Sequence, residues 1–281
     1  MNQPVFQSLL FTFIILMLCF TFESNAQLDN EYTHLDYSIE FREFLGHRLS
    51  QQDWAAEVGT DALLAAGANL KHKKLVGFIV ENNETHWTLS YLGKRNFSQG
   101  IYYQIEVTTQ GPVKQTFKDY SDKPVKLTDW QKSIFRASKT AMKTDLLLCS
   151  NNYNSVVLTL TLGETKYLYT YFLAASNKPN ISIMGGHHRF ILNADGKKIL
   201  QHKAHTKSCL TSEIIGNSSA LGVTHFNDTI PNELHIYMSY LYEMPVFVII
   251  AEDESKWLVQ EGKITAVDSE IDGSDQQSPN N

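Results

Sequence analysis

Four of the ten histidines fall inside GGHHRFILNADGKKILQHKAHTKSC, residues 185–209, and two more, His225 and His235, follow it. Imidazoles at this density, with Cys209 in the same segment and Glu233 after it, suit two kinds of chemistry: metal ligation and nucleophilic catalysis. Adjacent His187 and His188 cannot share a face of a regular strand. The segment ADGK between two strand patterns reads as a hairpin, with Asp195-Gly196 as a two-residue type I′ loop. That loop sets a register in which Ile191 opposes Leu200, Arg189 opposes His202 and His188 opposes Lys203. One face then gathers His187, Arg189 and His202; the other gathers His188, Lys203 and His205. Each group contains a permanent cation, which raises the cost of adding a metal dication.

The second cluster is THFNDTIPNELHIY. As the end of a hairpin it puts Glu233, His235 and Tyr237 on one strand face, with His225 closing the preceding strand. His225, Glu233 and His235 form a two-nitrogen, one-carboxylate set of the kind that holds catalytic zinc, and His187 completes it if the two hairpins lie side by side. The spacing lacks the H-E-x-x-H pattern that fixes two ligands on one helix. No G-x-S-x-G, Walker loop or G-x-G-x-x-G is present. Ser208 and Cys209 near His205 offer a nucleophile beside a base, an arrangement that most chains of this size contain. Tyrosines at 167, 169 and 171, with Tyr237, Tyr240 and Tyr242, offer either a recognition surface or ordinary packing.

These groups are positioned by an α+β chain. Residues 35–50 have helical spacing, and a second helical piece runs over 53–70 with a break at Gly59. Alternating strands over 74–120 predict an antiparallel meander, and Thr128 or Asp129 caps a connecting helix over 128–143. The remainder is strand-rich and mostly antiparallel, including ELHIYMSYLY, PVFVIIAE, KWLVQ and KITAV. The expected organisation is a signal peptide over 1–26, an N-terminal α+β region over 27–146, a C-terminal β-rich region over 147–268 and a disordered acidic tail over 269–281.

The leader-like reading rests on a charge-free run from Leu9 to Phe22 and small residues at Ser24 and Ala26. Its removal leaves Cys149 and Cys209, and export permits them to pair. Such a bond closes a loop of about 60 residues, worth about 4 kcal/mol in the loop-entropy model. A net charge of −6 provides no field for nucleic acid. No segment after the leader reads as a membrane span. The expected function is that of an exported, periplasmic or secreted, non-enzymatic protein that binds another protein or a cell-envelope component, with no cofactor. The competing reading is a metal-dependent hydrolase, with zinc, built on the 225–235 hairpin. The sequence leaves the choice between enzyme and binder open.

Overall fold

Ser38 opens the first helix: its hydroxyl accepts the Phe41 N–H, and α1 runs over Ile39–Ala65. In the computed structural model the described residues are 38–267, apart from 72–73, 84, 96–97, 109–115, 179, 207, 215–217 and 227. The expected leader over 1–26 and the expected tail over 269–281 lie outside them. The expected break at Gly59 does not occur. Glycine weakens a helix by about 1 kcal/mol relative to alanine. Here it permits close contact, because a Cβ at Gly59 would sit 2.9 Å from Leu89 Cδ2. Gly46 does the same nearer the start of α1, where a Cβ would sit 2.6 Å from Ile236 Cβ.

The expected meander is present. β1 (Leu75–Asn83), β2 (His86–Arg95), β3 (Ser98–Thr108) and β4 (Thr116–Asp119) pair in that order, and β5 (Val125–Lys126) also pairs with β3. α2 (Asp129–Ala141) starts in a capping box in which Thr128 and Gln131 satisfy each other's backbone N–H groups. A second antiparallel sheet is built from β6 (Asn152–Leu162), β7 (Thr165–Ala175), β9 (His188–Asn193) and β10 (Ile199–Ala204), in the order β10-β9-β7-β6. β8 (Ile181–Ile183) pairs with β11 (Thr211–Glu213).

The last sheet corrects the sequence reading. ELHIYMSYLY is a helix, α3 (Glu233–Leu241), and no hairpin spans 225–235. Asn232 caps it through its side chain, which accepts the Leu234 N–H, while His235 Nδ1 accepts the Asn232 N–H. Glu233 in the first turn favours the helix dipole. α3 links β12 (Leu221–His225) to β13 (Val246–Ile250), and these two strands are parallel. β14 (Lys256–Gln260) and β15 (Lys263–Ala266) complete the sheet antiparallel. The architecture is α+β, with three helices and mostly antiparallel strands among the described residues.

Three apolar cores hold the layers. One lies among α1, α3 and the β6–β10 and β12–β15 sheets, and includes Leu45, Tyr169, Ile191, Ile236 and Val248. A second joins α2 to the first two sheets through Ile134, Leu92, Phe172 and Phe190. The third packs α1 on the meander through Leu63, Leu89 and Ile105. Tyr169 and Tyr171 are fully buried in the first core, so the tyrosine stripe is packing material there. Cys149 and Cys209 form the expected disulfide, with an S–S distance of 2.03 Å. Among the described residues, no helix is long and apolar enough to cross a membrane.

Candidate functional site

The β9–β10 hairpin decides which imidazoles meet. Its turn is closed by the Gly196 N–H donating to Asn193 O, and Gly196 alone in that turn has positive φ, +70°. The type I′ loop assigned to Asp195-Gly196 is therefore absent. Glu261-Gly262, with φ of 50° and 78°, connects β14 and β15 instead. The register starts as expected, with Leu192 opposite Ile199, and then slips by one residue. A bulge between Ile199 and Gln201 places Gln201 opposite Ile191, His202 opposite Phe190 and Lys203 opposite Arg189. The slip exchanges faces, so the expected grouping is corrected. His188 and His202 lie together, with ring centroids 5.4 Å apart, and His202 stacks on Phe190 at 4.3 Å. Arg189, Lys203 and His205 occupy the opposite face.

That second face meets the start of α3. Arg189 Nη1 donates to Glu233 Oε1 at 2.8 Å, both side chains being 1% exposed. Tyr171 Oη donates to the same oxygen at 3.2 Å, and His205 Nε2 lies 3.5 Å from it. Lys203 Nζ donates to both Asp228 carboxylate oxygens at 2.8 Å. His225 Nε2 donates to Asp228 Oδ2 at 3.2 Å. Arg42 of α1 reaches Asp228 Oδ1 at 3.4 Å and donates to Ile230 O and Pro231 O at 3.1 Å. His235 completes the group, its ring 4.8 Å from that of His225. The result is a buried ionic network joining β9, β10, β12, α1 and the first turn of α3.

Its electrostatics follow from burial among three permanent cations. Burial alone would raise the Asp228 carboxyl. The His225 hydrogen bond and the charges of Lys203 and Arg42 outweigh it and hold Asp228 well below the usual carboxylate range. His235 is pushed well below its ordinary value by burial, and by His225, His205 and Arg42 around it.

Three of the four sequence-predicted ligands, His225, Glu233 and His235, thus fall in one network. His187 is placed elsewhere in hydrogen-bonding terms. Its Nδ1 accepts the Ala174 N–H at 3.0 Å, and its Nε2–H donates to Ile183 O at 3.0 Å. Burial lowers it to about 4. With both ring nitrogens on backbone groups, it pins β7 to the chain entering β9. Glu233 Oε1 is taken by Arg189, and His235 Nδ1 is taken by its own helix cap. Among the described residues, no group of three or more His, Cys, Asp or Glu side chains is arranged to hold a metal ion.

The opposite end of α3 faces an open cleft that sequence reasoning missed. It has a volume of about 420 Å³ and is lined by α1, Trp87 of β2 and the last turns of α3, through His47, Asp53, Trp54, Glu57, Tyr240 and Leu241 among others. A second cleft of about 720 Å³ shares Asp53, Glu57, Tyr237 and Leu241 with it and adds Asp61, Tyr91 and Lys178. Asp53 stands at the junction, and Tyr237 Oη donates to its Oδ2 at 2.7 Å. Burial raises the Asp53 carboxyl, the Tyr237 hydrogen bond opposes this, and the nearby Glu57 charge adds to it. Trp54 and Tyr240 remain 44% and 37% exposed on the rim. The signal available in the sequence was Asp53, Glu57 and Asp61, at four-residue spacing on one helical face beside Trp54.

No protein-family model, curated protein or solved structure matches the chain.

Proposed function

We propose that the chain is an extracytoplasmic, non-enzymatic binding protein whose ligand seats in the cleft between α1 and α3. The observation that carries this reading is the cleft itself. It is a concave site with exposed aromatic walls and a carboxylate, Asp53, raised above its ordinary range by burial. The ionic network supports the reading from the other side, because its carboxylates are engaged by Arg42, Arg189 and Lys203 and its histidines are sealed from solvent. The Cys149–Cys209 disulfide and the leader-like residues 1–26 support a periplasmic or secreted location. The acidic net charge supports a protein or cell-envelope partner over nucleic acid.

A fragment screen followed by amide and indole NMR tests this. Hits should shift Trp54, Tyr240 and Leu241. Shifts confined to residues around His225 and His235, with stoichiometric zinc lost on His235→Ala, would replace this reading with the metal-dependent hydrolase.

A further inference from the structure

A row of acids on a helix is ordinarily a solvated face. Asp53, Glu57 and Asp61 differ because two features stand beside them. They border a groove of two adjoining clefts, and that groove has aromatic and apolar side chains exposed along it, namely Trp54, Tyr240 and Leu241. Among the described residues, the first cleft is lined by the carboxylates Asp53, Glu57 and Glu243 and by no lysine or arginine. The second contributes one lysine, Lys178. Two other cations near the groove are committed elsewhere: Arg48 lies over the Trp87 ring at 5.3 Å, and Lys263 pairs with Glu43 at 2.8 Å. From Leu49 to Ala65, α1 has no lysine or arginine to relieve the repulsion between acids one turn apart.

Resting on the binding reading above, we infer that the groove receives an extended peptide segment of a partner protein, with lysine or arginine at alternate positions. Acids four residues apart on a helix rise by about 6 Å. Alternate residues of an extended strand rise by about 6.6 Å, so cationic side chains on one face of the peptide stay in step with Asp53, Glu57 and Asp61. Trp54 and Tyr240 add cation–π contacts to the same side chains. The intervening peptide residues face Leu241 and solvent.

Calorimetric titration of the protein with four probes tests this: an alternating Arg–Ala hexapeptide, its Glu–Ala counterpart, spermidine, and a neutral chitin-type oligosaccharide. The Arg–Ala peptide should bind, weaken with added salt, and lose about tenfold in affinity in the Glu57→Gln/Asp61→Asn variant. Both positions are solvent-exposed, so folding is unaffected. Affinity for Arg–Ala unchanged in that variant, or equal binding of Glu–Ala, overturns the inference. Spermidine binding as tightly, through the same acids, overturns the peptide as occupant. Oligosaccharide binding lost on Trp54→Ala overturns the cationic ligand while leaving the cleft as the binding site. If no probe binds but fragments still shift Trp54, the inference falls alone; if those shifts are also absent, both readings fall.

Discussion

The first turn of α3 is closed in by opposite charges, and its last turn looks into a cavity. At the first turn, Glu233 and Asp228 meet Arg189, Lys203 and Arg42 inside the protein. Along the second half of α3, Tyr237 and Leu241 sit beside Asp53 and Glu57 in an open groove. One short helix therefore separates carboxylates set against cations from Asp53, which accepts the Tyr237 hydroxyl, and Glu57, which faces solvent. Residue type alone does not distinguish them. What distinguishes them is which other elements the backbone brings up, and that leaves the first end closed and the second open to solvent.

The comparison can be broken most forcefully at Glu233. Removing one partner of a buried pair strands the other, at a cost of about 3–5 kcal/mol. Glu233→Ala or Arg189→Met should lower stability by that amount in urea unfolding. The Arg189→Met/Glu233→Leu double variant should lose much less than the sum of its single variants. If the single variants unfold at the wild-type midpoint, the network is not structural.

Acid should act with opposite sign on the buried histidines and on Asp53. His187 and His235 have depressed values in the fold, so their contribution is fully present above about pH 6.5, the unfolded value, and is lost as pH falls. For His187, falling to about 4, that loss is about 3 kcal/mol. Asp53 is raised, so its contribution is present at low pH and lost as pH rises through its folded value. Stability measured against pH should therefore fall between 6.5 and 4, and His187→Gln should flatten the fall. Asp53→Asn should be stabilising at neutral pH.

Smaller effects sharpen the contrast. Gly46→Ala drives a methyl into Ile236 and the Glu233 carbonyl, and should cost about 1–3 kcal/mol by loosening α1 from α3. Trp54→Ala, on the groove rim, should change stability by no more than about 0.5 kcal/mol while abolishing the fragment shifts.

Much of this was legible in the sequence. Thr128 announced α2, the alternation over 74–120 announced the meander, and the two cysteines announced their bond. Two features were not. HIYMSYLY carries three tyrosines and one isoleucine, which favour strands; Asn232 followed by Glu233 was the helix-start signal that outweighed them. The bulge at Leu200 has no local marker. Pairing Lys203 with Asp228, and seating His205 by Glu233, requires the slipped register, and these partners lie 25 or more residues away in sequence. The strand's parity is set from outside it. His225, Glu233 and His235 lie on a strand end and a helix start, and their hydrogen bonds go to Asp228, to Arg189 and Tyr171, and to the Asn232 N–H.

Cys149 and Cys209, 60 residues apart, bracket β6, β7, β8, β9 and β10 completely. The whole four-stranded sheet that carries Arg189, Lys203 and His205 therefore lies within one covalent ring. In an oxidised but unfolded chain, this segment is already confined, so the non-local pairing of β9 with β7 starts from a shorter search. α1, β12 and α3 lie outside the ring and have no such advantage. The ring thus predisposes an order of assembly: the central sheet first, and then the ionic network, as the outer elements dock onto a face already formed.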